Sequence, residues 1–207
     1  MSRAFSRGAN SVDVNPYIAL SDLMINMVMC FVFLTSCITV LGRLGSDDIK
    51  YKKQRETIDT QLKTIPAELR PVWVTWKNDV AGVQRWVFSG NALFEPESTS
   101  LTTSGRETLL TFLKVLKGHR NSWTRLRIEG HSLPPLKGKN DDFLESAVRA
   151  SAVARVLSGA GGVEPNFLVV SGKAGQDVLY PLLVNGKVDP RNERVEIIIE
   201  FGSTRSQ

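Results

Sequence analysis

The run YIALSDLMINMVMCFVFLTSCITVL, from Tyr17 to Leu41, carries a single formal charge over about 25 residues and constrains the fold more than any other feature. As a helix rising about 1.5 Å per residue it would be about 37 Å long, against about 30 Å of hydrocarbon in a bilayer. It is long enough to span. Asn15 suits a helix cap and Pro16 a first turn, while Gly42 with Arg43 reads as a stop.

The one charge is Asp22, roughly 7 to 8 Å into such a helix. An ionised aspartate in hydrocarbon costs about 2.5 to 3.5 kcal/mol even on insertion scales, so it should face a partner, a cavity or a proton. Asn26 falls one turn later on the same face and Ser21 stands beside it. Asp22 is therefore the expected ion-binding group, with Tyr17, Ser21 and Asn26 as its support. Two other readings stand beside this one. Asp22 could snorkel to the interface and mark a helix end. Leu34, Thr35, Ser36 and Cys37 also fit a lipobox, which would make the segment a signal peptide cleaved before Cys37. An acid inside the apolar run, and Ile38, Val40 and Leu41 continuing it beyond Cys37, argue against that reading.

The polar remainder has a different character, which the whole-chain mean hydropathy of -0.09 conceals. Its basic excess, a formal charge of +5, is interspersed with acids and forms no continuous stripe, so nucleic-acid binding is not expected. Cys30 and Cys37 both lie in the apolar run, and the residues after them contain no thiol, a pattern compatible with an oxidising compartment. No metal site is expected, because neither His119 nor His131 lies near the cysteines in sequence. Ser46 to Ile65 reads as a short amphipathic helix or linker ending before Pro66, with apolar positions at Ile49, Ile58, Leu62 and Ile65. From about Val72 strand-like and helical runs alternate. Strands are expected at Val83–Phe88, Arg125–Glu129, Leu168–Ser171 and Arg194–Phe201, and helices at Ser104–Lys117 and Asp142–Leu157. Leu109, Leu110, Phe112, Leu113 and Leu116 should face the sheet, and Gly159, Gly161 and Gly162 suit a helix exit. Nothing resembles a Ser-His-Asp arrangement or a phosphate loop, so an enzyme is not expected.

The string NPYIALSDLMINMVMCFVFL, through Tyr17, Ser21, Asp22, Leu23 and Met24, resembles the membrane segment of MotB-type stator proteins. That resemblance implies a homodimer inside a ring of multi-helix MotA-like or ZorA-like subunits, five in number, with H+ or Na+ crossing on Asp22 and no other cofactor. Downstream, Phe88 to Leu101, Leu126 to Ser132 (LRIEGHS), Asp142 to Ala150 and Asn192 to Ile197 (NERVEI) resemble, in order, the motifs of the OmpA-like domain that binds peptidoglycan. The expected architecture is thus a single transmembrane helix plus a mixed α/β OmpA-like periplasmic domain. It divides into a cytoplasmic tail 1–16, a span 17–41, a linker 42–82, the domain 83–202 and a tail 203–207. By resemblance, Arg149, Asp142, Ser146, Asn192 and Arg194 would contact the glycan peptide. Leu133, followed by Pro134 and Pro135, stands where the family has an aspartate, and Asp142 and Glu145 replace the family's Asn and Leu. Arg149 has two readings of equal standing, a fork for a ligand carboxylate and an ion pair with Glu145 one turn earlier. The resemblance also sets the bacterial inner membrane as the location, with the N-terminus cytoplasmic. The Arg and Lys residues from Arg43 to Arg55 would by charge alone favour the opposite orientation. The short tail and divergent glycan motif resemble the small ZorB-type subunits of Zorya anti-phage defence more than flagellar stators.

Overall fold

The computed structural model describes residues 16–77, 79–80, 82–134, 143–183 and 185–202, and divides the chain into two units, Met1–Ser46 and Asp47–Gln207. In the first unit, helix α1 begins at Pro16 and contains an exposed apolar stretch, Tyr17–Gly42, long and apolar enough to cross a membrane. Ser and Thr side chains along it return their hydroxyls to the helix backbone, Thr35 to Phe31 O at 2.9 Å and Thr39 to Thr35 O at 2.7 Å. Such bonds let a hydroxyl lie in an apolar environment without an unmet donor.

The expected stop at Gly42 and Arg43 is not observed, since α1 runs on to Leu62. Gly42 and Gly45 each cost a helix about 1 kcal/mol relative to alanine, and no proline follows until Pro66, so the turns on either side outweigh them. The span 42–82 is likewise not simply a linker. Ile58, Leu62 and Ile65 are buried in the core of the second unit, and strand β1 (Val72–Val74) pairs antiparallel with strand β2 (Val83–Ser89).

The rest of the second unit follows as a short helix α2 (Gly90–Leu93), helix α3 (Thr103–Lys117), strand β3 (Trp123–His131), helix α4 (Phe143–Ser158), strand β4 (Leu168–Gly172) and strand β5 (Arg194–Phe201). The sheet order is β1-β2-β5-β3-β4, with β3 and β4 parallel and the other neighbours antiparallel. Each bound expected for these strands and helices lies within two residues of the observed one. Asp142 lies outside the described residues.

Local chemistry fixes the ends. Thr102 caps α3 by accepting from Gly105 N at 2.8 Å. Gly162, at φ +65°, turns the chain out of α4, and Val163 N closes the exit on Leu157 O. One sheet face packs against α3 and α4. Trp86, Phe88, Leu126, Ile128, Val195, Ile197 and Ile199 meet Leu109, Phe112, Leu113, Leu116, Val153 and Leu157 there. Trp123 completes this core and donates its indole N–H to Leu116 O at 3.1 Å. Strand side chains alternate between faces, so Arg85, Arg127, Glu129, His131, Arg194 and Glu196 all project to the helix-free face.

Candidate functional site

Three places hold the chemistry. The first is the start of the apolar helix. Ser21 donates to Tyr17 O at 2.8 Å, and Asn26 Nδ2 donates to Asp22 Oδ1 at 3.4 Å. Tyr17, Ile18, Ser21, Asp22 and Ile25 line one shallow depression on this helix. The four residues expected to form an ion site thus lie within about three successive turns of one helix. All are exposed within the chain itself.

The second place surrounds Arg149 on α4. Its guanidinium is almost fully buried and each of its three nitrogens has a partner: Nη2 pairs with Glu145 at 2.7 Å, Nη1 pairs with Glu193, and Nε donates to Ser98 O at 3.2 Å. The Phe94 ring lies 5.5 Å from it. The expected pair with Glu145 is present, and Glu193, just before β5, is a second acid that sequence reasoning did not bring here. Ser146, one turn before Ala150, is fully buried. Its hydroxyl donates to Phe143 O and accepts from Ala174 N, both at 3.0 Å, which ties α4 to the loop after β4.

Asn192 and Arg194, the other expected glycan residues, do not gather around Arg149. Asn192 Oδ1 accepts from Leu179 N and Tyr180 N at 3.0 Å each, and its Nδ2 donates to Tyr180 O at 2.8 Å. The side chain holds the 177–181 segment in place. Arg194 points to the helix-free face, where Nε donates to Glu196 Oε1 at 2.6 Å and Nη2 to Asp177 O at 2.7 Å.

The third place is that face, which carries a cleft of about 300 Å³ lined by Trp76, Asp79, Arg85, Arg127, Glu129, His131, Lys173, Asp177 and Glu196. The register sets Glu129 directly opposite Glu196 and His131 opposite Arg194. Two acids facing each other across strands repel, so a cation must lie between them. Arg85 from β2 supplies it: Nη1 contacts Glu129 at 3.3 Å and also Glu196, while Nη2 reaches Asp79 at 2.9 Å. Burial would raise the Glu196 and Asp79 carboxyls, but neighbouring guanidiniums, Arg194 and Arg85 respectively, leave both below the usual carboxylate range.

His131 is held down to about 4, first by burial and then by the Arg194 charge, so its ring is neutral at pH 7. Its Nδ1 lies 3.2 Å from Gln176 O. A carbonyl only accepts, which places the ring proton on Nδ1 and leaves Nε2 as an acceptor. That Nε2 is buried without a hydrogen-bond partner, 3.5 Å from Glu196 Oε1. Sequence reading missed this cluster. Its trace was there in Arg127, Glu129 and His131 at alternate positions of one strand, and Arg194 and Glu196 in another.

Comparison with known proteins adds to this geometry. A model of the OmpA family matches residues 93–181. Among solved structures, a putative MotB like protein from Desulfovibrio vulgaris is 25% identical, with a TM-score of 0.58 over 73% of this chain and 96% of that one. The cell wall anchor of the T6SS from Pseudomonas aeruginosa is 20% identical, with a TM-score of 0.54 over 71% of this chain and 96% of that one. The periplasmic domain of Helicobacter pylori MotB is 20% identical, with a TM-score of 0.52 over 65% of this chain and 82% of that one. At that level of identity the last two show the fold alone. No curated protein sequence matches. The chain therefore joins an apolar helix to an OmpA-like domain that has structural matches among MotB-like proteins.

Proposed function

We propose that this chain is a MotB-like subunit of an ion-driven membrane motor in the bacterial inner membrane. In this reading two copies stand inside a ring of MotA-like or ZorA-like multi-helix subunits, five by resemblance. H+ or Na+ crosses on Asp22, and the OmpA-like domain in the periplasm anchors the pair to peptidoglycan. The observation that carries the reading is the placement of Asp22. It is the sole formal charge of the apolar stretch, one turn from Asn26, on a span with no buried residue. A carboxylate in such a span calls for surrounding protein, and a helix ring provides it. Arg149, with Glu145 and Glu193 about it, is the proposed point of contact with the wall peptide, and the role is non-enzymatic.

Within that class we assign the chain to anti-phage defence of the Zorya type, for which Leu133 in place of the family's aspartate speaks. The test replaces Asp22 with Asn, nearly isosteric but unable to titrate, in cells that hold the partner subunits. Phage protection is scored first and motility second, after membrane assembly of the complex is confirmed. Loss of protection in an assembled complex supports the reading. Unchanged protection with unchanged motility sinks it and leaves a passive wall tether.

A further inference from the structure

We propose that Glu129, His131 and Glu196 form a binding site for one divalent transition-metal ion of the zinc class on the helix-free face of the sheet. The inference stands apart from the motor reading and does not rest on it.

One imidazole nitrogen and a carboxylate oxygen from each glutamate lie within 4.8 Å of one another, and all three residues are buried. Donors around a tetrahedral zinc with bonds of about 2.0 to 2.1 Å stand about 3.3 Å apart. The 3.5 Å separation of His131 Nε2 and Glu196 Oε1 is close to that spacing. Both of these atoms are acceptors, since Nδ1 carries the ring proton, so the pair faces lone pair to lone pair and requires something electropositive between them. Nε2 has no hydrogen-bond partner, in a side chain only 1% exposed, which marks the point where the coordination is directed.

The surroundings match what a metal site needs beyond its ligands. A ligating histidine ordinarily donates its other ring N–H to a carbonyl or carboxylate, as His131 does to Gln176 O at 3.2 Å. The ligating carboxylates are themselves oriented, Glu196 by Arg194 at 2.6 Å and Glu129 by Arg127 at 3.1 Å. The cleft of about 300 Å³ gives an ion a path from solvent.

Arg85 is the competitor. Its Nη1 bridges the two carboxylates that the ion would use, while Asp79 grips the other edge of the guanidinium through Nη2 at 2.9 Å and Nε at 3.3 Å. A bound ion displaces both Nη1 contacts and leaves Arg85 anchored on Asp79. This sets a sign that a purely structural cluster would not show: removing the arginine should strengthen metal binding.

The experiment titrates Zn²⁺ into the full chain in detergent, free of any histidine tag, by calorimetry, with circular dichroism to confirm folding. The wild type is expected to bind one equivalent that is absent from H131Q. R85Q is expected to bind that equivalent at least about tenfold more tightly, through loss of a nearby positive charge. If H131Q does not fold, E129Q at the edge of the cluster serves in its place, with the same loss expected. Absence of binding in the wild type, binding unchanged in the folded ligand variant, or weaker binding in R85Q overturns the assignment.

Discussion

Gly130 on β3 lies so close beneath Ser146 on α4 that a Cβ at this position would fall on the Ser146 carbonyl oxygen. Strand and helix meet here backbone to backbone, directly beside the Glu129 and His131 positions and one turn before Arg149. The obstacle is main chain, which cannot rotate aside as a side-chain tip can. G130A should therefore destabilise the folded domain by about 3 kcal/mol, the upper end of overpacking costs, or prevent its folding. A urea melt of the full chain in detergent decides it, and a midpoint equal to wild type would contradict this packing.

The helix end that precedes the sheet should matter as much. Leu62 and Ile58 are fully buried against the domain core, although they follow the membrane-type segment in the same helix. L62A should cost about 2 to 5 kcal/mol, the range for a cavity left by leucine in a core. A melt in which L62A matches the wild type would return this segment to the status of a linker.

Legibility in the sequence followed from how local each signal was. β5 was readable to both ends because Arg194–Phe201 is a long β-branched and aromatic run bounded by turn residues. α3 was readable because Leu109, Phe112, Leu113 and Leu116 keep helical spacing. β1 was not, since three residues carry no period, and its pairing with Val87, Trp86 and Arg85 is a tertiary fact. The role of Leu62 was hidden for a similar reason: an amphipathic stretch after a span looks the same whether its apolar side meets a domain or solvent. At the candidate sites, Asp22 and Asn26 lie one turn apart, so spacing alone brought them together. Arg85, Glu129 and Glu196 come from three strands, and no spacing relates them.

Arg149 should behave as a structural cation whatever else it binds. R149A strips a partner from both Glu145 and Glu193 and leaves Ser98 O without its donor. Because both acids retain some solvent, the expected loss is about 2 kcal/mol, below that of a fully buried pair. R149K should recover part of it, and E145Q should fall within about 0.5 kcal/mol of wild type. Thermal melts of the three variants check the order, and R149A as stable as wild type would refute it.

Acid should weaken the domain in a defined window. His131 titrates near 4 when folded, chiefly because it is buried, against an ordinary value of 6.5. A group whose folded value is depressed contributes its full stability above 6.5 and loses it as pH falls toward 4. The loss is on the order of 3 kcal/mol. Asp79 and Glu196, also below their usual values, add losses of the same sign at still lower pH. Urea midpoints between pH 7 and 4 should fall for the wild type and stay flatter for H131N. Parallel curves for the two proteins would show that His131 is not the source.

The most direct test of ion transport is a flux measurement on the complex itself. Vesicles containing this chain with the proposed ring subunits, under an imposed H+ or Na+ gradient, should pass ions with the wild-type chain. They should pass none above background with D22N, at equal assembly. Equal flux through both would show that Asp22 does not carry the ion and would contradict the account at its centre.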